Sequence, residues 1–334
     1  MRRAGWGLLA LAGAVAAAAP WIAPNPPDRR FADSLYAPPT VVHVFHNPPS
    51  QGSGVAGGPQ RPFIYQQQLL SRLERRFDED RTRPVPLRWL SGGRLVSVPE
   101  IGRGPLLLLG ADALGRDIFS RLVHGARVTL ALAVLSTLAV LIVGAMLGGV
   151  AGYAGGLLDD LLSRFTDVVL VLPTIYVALA LRAALPLVLP ASTVFLVLAG
   201  IFALLGWPIV ARGVRAIVAS ERTREYVVAG HALGAGPFRM LVRHLLPSTL
   251  GYLGVQATLL LPAFILAEAT LSYVGLGFPD TIPTWGTMLQ DAANVALVGQ
   301  APWMLAPAAA IFLVVLAVNL SVQGRGRAPV QLEL

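Results

Sequence analysis

The residues that could do chemistry are few and scattered. Glu268 stands in an apolar run, 252–275, where an ionisable side chain is costly and often functional. Two readings fit it: a carboxylate that lines or gates a solute path, up to the coupling group of a proton-driven carrier, or a group near the outer interface bonded to a neighbour. His43 and His46 form an H-x-x-H, but in an extended segment odd spacing turns the rings to opposite faces. No further ligands stand nearby, so no metal site is expected. Asp112, Arg116 and Asp117 precede a long apolar run; local pairs shaping an elbow account for them, with solute contact as the alternative. Arg182, near the end of another run, is expected to snorkel to the interface. The chain has no cysteine, which excludes thiolate catalysis, disulfides and cysteine-held metals. Every basic side chain among the 26 is arginine, so a phosphate loop of the lysine-bearing kind is excluded too. No nucleophile–base or metal constellation stands in the loops, and catalysis by this chain is not expected.

The elements that must position these residues are membrane spans. The 334 residues are 55% hydrophobic and 13% charged, with a mean hydropathy of +0.65, where a soluble chain is typically about 25% charged. Runs long enough to cross a bilayer as helix, about 20 apolar residues, lie at 5–23, 128–151, 167–184, 191–210, 252–275 and 303–321. The fold class expected is therefore all-α, a polytopic membrane protein with about six transmembrane helices. Pro173 sits inside the third run, where a helix bundle can accommodate it. With six spans, Arg2 and Arg3, Arg164, the six arginines from Arg212 to Arg243, and Arg325 and Arg327 all fall on one side. The positive-inside rule makes that side, and both termini, cytoplasmic. The net charge of +8 then reflects topology rather than nucleic-acid binding.

Residues 25–127 would form a long external, periplasmic loop, and loops beyond about 60 residues are largely exempt from the charge rule. Asp78, Glu79 and Asp80 partly offset its arginines. An apolar stripe from Ile64 to Phe77 predicts a helix there and hence a small subdomain. A disordered linker is the alternative for the Pro/Gly-rich part before Pro62. The domains expected are thus 1–24, an N-terminal span; 25–127; and 128–325, the core. A cleaved signal peptide, with Ala16–Ala19 as the small-residue region, is the alternative for the first run.

Gly144, Gly148, Gly152 and Gly156 recur every four residues, a ridge for close helix packing, with a pore role as the alternative. The loop 211–250 still has helical apolar spacing. Tyr226, Ala229, Gly230 and Leu233 fall on one face, Gly234 and Gly236 with Pro237 break the helix, and a second helix, Phe238 to Leu245, is expected to stop at Pro247. A short amphipathic helix of this kind floats on headgroups or docks into a groove of a cytoplasmic partner. The small residues Ala229, Gly230, Ala232 and Gly234 favour docking, because they let a partner's backbone approach.

Here the chain resembles a known family. Val228-Ala229-Gly230, Gly234 and Leu246-Pro247 occupy the positions of the EAA loop of permease subunits of ATP-binding-cassette importers, with Val228 where that loop has glutamate and Gly230 in place of its second alanine. Gly110 to Val134, Ala151 to Thr174 and Leu266 to Leu289 resemble further blocks of the inner-membrane C-type permeases of dipeptide, oligopeptide and nickel importers. The resemblance covers roughly 105–325 and leaves 25–104 unmatched.

It implies a type I importer permease fold and alternating access. Glu225, Tyr226, Ala229, Gly230, Ala232, Leu233 and Gly234 would be the coupling surface on the ATPase. The implied partners are a paralogous permease in a heterodimer, two ATPase subunits that bind the ATP and magnesium, an external substrate-binding protein and membrane lipid. This chain would hold no cofactor of its own. A secondary carrier or channel is the competing class; it would show internal repeats and midplane polar groups, which are not evident. Peptides, nickel chelates and other small solutes all remain open as cargo.

Overall fold

The structure, a computed structural model, describes residues 2–45, 59–71, 76–98, 104–186, 188–293 and 299–322; His46, Arg325 and Arg327 lie outside them. In chain order the elements begin with α1 (Arg2–Ala17) and α2 (Ala19–Ile22). Five strands follow: β1 (Val42–Phe45), β2 (Pro59–Ser71), β3 (Arg76–Pro86), β4 (Arg88–Ser91) and β5 (Arg94–Ser97). The remainder is helical: α3 (Ile118–Ala154), α4 (Gly156–Val171), α5 (Thr174–Ala183), α6 (Ala191–Glu221), α7 (Glu225–Ala232) and α8 (Pro237–Met240). A π-helical turn, Leu241–Leu245, leads into α9 (Leu246–Ser248), α10 (Leu250–Tyr273), α11 (Trp285–Asp291), a 3₁₀ turn at Pro302–Leu305 and α12 (Ala306–Val322). Among the described residues, α3, α6, α10 and the 302–322 segment are long and apolar enough to cross a membrane. The pair α4–α5 makes a fifth crossing if counted as one span, and α1 is a shorter apolar helix. Lipid offers no partner for backbone N–H and C=O groups, which is why the apolar runs are helical.

The third run differs from expectation. It is broken, with α4 and α5 meeting at 84°. Pro173 has no N–H to give and takes an extended conformation as the cap of α5, so it ends one helix and starts the next. Pro247 does not stop its helix either. It falls in the first turn of α9, where a missing N–H costs nothing, just past the wider π-helical turn. Arg182 does not snorkel: it is 1% exposed, and its Nη1 donates to the Pro186 carbonyl at 3.2 Å.

The chain divides into two units, Met1–Gly5 with Leu130–Leu271 and Ala317–Leu334, and Trp6–Thr129 with Ser272–Leu316. In the first unit α6 packs on α4 and α5, and the glycines of α3 lie against α6. A Cβ on Gly144 would stand 2.6 Å from Val210 Cβ, on Gly148 2.3 Å from the Ala211 carbonyl, and on Gly152 2.5 Å from the Arg215 carbonyl. Gly156 is different: it has φ of +58 with open space around it and belongs to the turn into α4. Bidentate pairing of Arg215 with Asp159 (Nη2 to Oδ2, 2.7 Å) and an Arg212–Asp167 pair join α6 to α4, and Phe165 stacks on Trp207 at 5.9 Å.

In the second unit β1, β2 and β3 form an antiparallel sheet in that order, and β4 and β5 form a hairpin. This corrects the helix expected over Ile64–Phe77. Ile64 pairs with Val42 on one side and Val85 on the other, and Phe63, Ile64 and Tyr65 are all buried. Three consecutive buried side chains suit a strand covered on both faces, and the pairing that decides it comes from residues about 20 positions away. Ile64, Val85, Leu87 and Leu106 make the local core.

The glycine seam gives a direct test. Replacing Gly148 with valine should lower the stability of the detergent-solubilised protein by about 1–3 kcal/mol or more through overpacking, read as a drop in thermal midpoint. Gly200→Ala, in the same unit with no atom within 4 Å of its Cβ, should move the midpoint far less.

Candidate functional site

The loop between α6 and α10 folds as a small helical platform. Glu221, at the end of α6, pairs with Arg224 and accepts from the Tyr226 hydroxyl at 3.0 Å, which fixes the entry to α7. Ala235 N–H donates to the Gly230 carbonyl and Gly234 N–H to the His231 carbonyl. With Gly234 at φ +81, these bonds make a Schellman end to α7, a left-handed position that glycine alone takes without strain. Proline at the start of α8 then turns the chain.

Only a narrow stripe of the platform is buried: Val227 of α7, with Met240 and Leu245 from the following turns. Gly230 faces the same side; a Cβ there would stand 2.3 Å from the Met240 methyl. Most of the other side chains of α7 and α8 face out. Val228, Leu233, Phe238 and Val242 are exposed, Leu233 by 89% and Phe238 by 78%, and Glu225, Tyr226, Ala229 and Ala232 are exposed beside them. Gly234 has open space where a side chain would be. The platform is tied to the span helices through Tyr153 of α3: its hydroxyl meets His231 Nε2 at 3.3 Å, and its carbonyl accepts from Arg222 at 3.2 Å. These two ties join positions about 70 apart, and no local sequence pattern records them.

Glu268 is fully buried in α10 and makes an interaction within the protein. His43 Nε2 shares a hydrogen bond with Glu79 Oε1 at 3.2 Å and its ring lies against Phe63 and Tyr65. Among the described residues no group of three or more histidine, cysteine, aspartate or glutamate side chains is placed to hold a metal ion.

The second unit carries a charged cluster that the sequence showed only in part. Arg116 pairs with Asp112 as expected, Nε to Oδ2 at 2.6 Å, but its other nitrogens reach Asp280 at 2.7 Å and Asp291 at 2.9 Å. Arg121 stands 3.6–3.7 Å from the same three carboxylates, and its guanidinium makes no hydrogen bond. Both arginines are at most 2% exposed, and burial at that level is sustained only by opposite charge. Asp117 takes no part; it accepts from Asn25 Nδ2 at 3.0 Å and Ser120 Oγ at 2.5 Å. The cluster thus pins the segment after α10 and the end of α11 to the turn before α3. Signals for Asp280 and Asp291 were absent because their partner is 164 and 175 positions away.

Burial raises two of these carboxyls. Asp291 is pushed up to about 6 by desolvation, against the pull of Arg116. Asp117 is pushed up to about 6 by desolvation, against hydrogen bonds from Ser120 and Asn25. In both, the folded-state value lies above the unfolded one. Their contribution to stability is therefore full below about pH 4 and is lost as pH rises through about 6. The thermal midpoint of the solubilised protein should fall between pH 5 and pH 7, and Asp291→Asn should flatten part of that slope.

Residues 144–325 match the profile of the binding-protein-dependent transport system inner membrane component. A di/tripeptide transport system permease protein of Pseudomonas aeruginosa is 37% identical over 241 residues, covering 72% of this chain and 74% of the relative. A dipeptide transport system permease protein of Bacillus subtilis is 38% identical over 63% of this chain and 64% of its own length. An oligopeptide transport system permease protein of the same organism is 35% identical over 59% and 62%.

Proposed function

We propose that this chain, which belongs to the family of binding-protein-dependent transport system inner membrane components, is a permease subunit of an ATP-driven importer for peptides or similar small solutes. It is a multi-pass protein of the bacterial inner membrane, with both termini on the cytoplasmic side and residues 25–127 outside. It pairs with a paralogous permease, and two ATPase subunits bind ATP and magnesium and do the hydrolysis. A substrate-binding protein delivers the solute.

The observation that carries this reading is the α7–α8 platform, a helix closed by Gly234 whose apolar side chains Val228, Leu233, Phe238 and Val242 face outward. Glu225, Tyr226, Ala229, Ala232, Leu233 and Gly234 are its coupling surface, seated in a groove of the ATPase, while Gly230, expected among them, packs inward on Met240. Closure of the ATPase pair pushes on α7, and the push passes through His231 and Arg222 to Tyr153. The spans rock as a packed body, and the path opens alternately to each side. Gly144, Gly148 and Gly152 keep α3 and α6 moving together. Glu268 serves as a gating group, which its complete burial in a spanning helix supports.

The test separates backbone strain from docking. A Cβ on Gly234 would meet no atom of the described residues within 4 Å, so bulk added there points toward a partner. In vesicles carrying the assembled transporter, Gly234→Leu should reduce ATP-driven uptake at least about tenfold, a loss of 1.4 kcal/mol or more in coupling. Gly234→Ala, which carries the same left-handed strain with little added bulk, should keep most of it. Equal uptake by the leucine variant and the parent would sink the coupling assignment.

A further inference from the structure

We propose that the β4–β5 hairpin is a membrane anchor: its tip, together with Trp21, seats in the headgroup region of the leaflet from which the first apolar helix emerges. α1 and α2 are close to one continuous helix. Ala18 N–H donates to the Ala14 carbonyl at 2.9 Å and Ile22 N–H to the Ala18 carbonyl at 3.0 Å. At 1.5 Å per residue, residues 2–22 span about 30 Å, the thickness of the hydrocarbon core. Near the far end stands Trp21, 67% exposed. Ala19 and Ala23 pack with Phe119 and Val123, and the apolar run of α3 starts just past Arg127. That end of the helix therefore lies within about two helical turns of the hydrocarbon boundary.

The hairpin is fastened at this level. Arg94 Nη1 donates to the Pro24 carbonyl at 3.0 Å, and β5 runs against α2. Its turn is Gly92-Gly93, both at positive φ, closed by the Ser91–Arg94 pair, a tight two-residue connection. The apolar side chains beside the turn are not folded under. Trp89 is 57% exposed, Leu90 81% and Leu95 48%. Leu90 has φ of +52, a conformation uncommon for a non-glycine residue. Arg88 is exposed next to them.

A tryptophan and two leucines on a turn, flanked by arginine, match the chemistry of the headgroup boundary, where the ring straddles polar and apolar layers and the cation meets phosphate. A soluble partner could cover the same face. The height of the hairpin, fixed beside the end of a span and next to Trp21, favours lipid.

The absence of native cysteine makes the test simple. Leu90→Cys, and separately Leu95→Cys, would be labelled with a small fluorophore in the full chain and reconstituted in phosphatidylethanolamine–phosphatidylglycerol vesicles. Quenching would be read with shallow nitroxide-bearing lipid and with aqueous iodide. At both sites lipid quenching should be strong and iodide quenching at least about threefold weaker than for the free dye, as for a side chain seated in the interface. Full iodide access with no lipid quenching would overturn the anchor. Exclusion of both quenchers would also overturn it, by showing that protein covers the tip. Neither result bears on the coupling role of Gly234, which is read by uptake.

Discussion

The close approach of α3 and α6 sets the terms for the rest of the first unit. At Gly148 the carbonyl of Ala211 occupies the place of a side chain, so the two helices are held backbone to backbone. Without a hydrophobic force between helices in lipid, such contact is the main source of association. It also fixes the rotation of α6. With Val210 and Ala211 turned toward α3, Arg212 and Arg215 reach Asp167 and Asp159 of α4, and Arg222 arrives beside Tyr153. The platform that follows α6 therefore inherits its position from a glycine seam several turns away.

That seam explains why a short loop can act on long helices. α7 has eight residues and would be marginal alone. It holds because both ends are tied, to Glu221 at the start and through its glycine cap at the finish, and because Val227, Met240 and Leu245 bury a small core beneath it. In the proposed coupling role, a load on its outer face would pass through His231 to Tyr153, one turn beyond Gly149 and next to Gly152, where α3 touches α6. Rigid packing transmits such a load rather than absorbing it.

The spans were legible in the sequence because lipid leaves the backbone no option but the helix, and hydropathy reports that directly. The helix–glycine–helix form of the loop after α6 was legible because glycine and proline mark it locally. What escaped was set by distant partners. The stripe over Ile64–Phe77 fits a helix until β1 and β3 supply strands on either side. Two of the three carboxylates that pair with Arg116, Asp280 and Asp291, come from beyond α3, α6 and α10 in the sequence, so only Asp112 was visible. The bend at Pro173 and the burial of Arg182 depend on how the next residues fold back, as the Pro186 carbonyl does, and no local pattern records that.

The two departures from the family loop have separate physical meanings. Gly230 is matched inside the chain, since the Met240 methyl fills the space that an alanine Cβ would take; the methyl has in effect moved from α7 to the next turn, and the buried stripe loses nothing. Val228 is not matched in this way, because it is 62% exposed and its side chain offers a partner no carboxylate. Its apolar side chain joins Leu233, Phe238 and Val242 on the outer face. Burial of that face yields free energy in proportion to area, about 25 cal/mol per Å², with little of the screening by salt that weakens an exposed ion pair. Docking of this platform, as proposed, would thus rest on apolar contact and shape, with Gly234 as the point where shape is least forgiving.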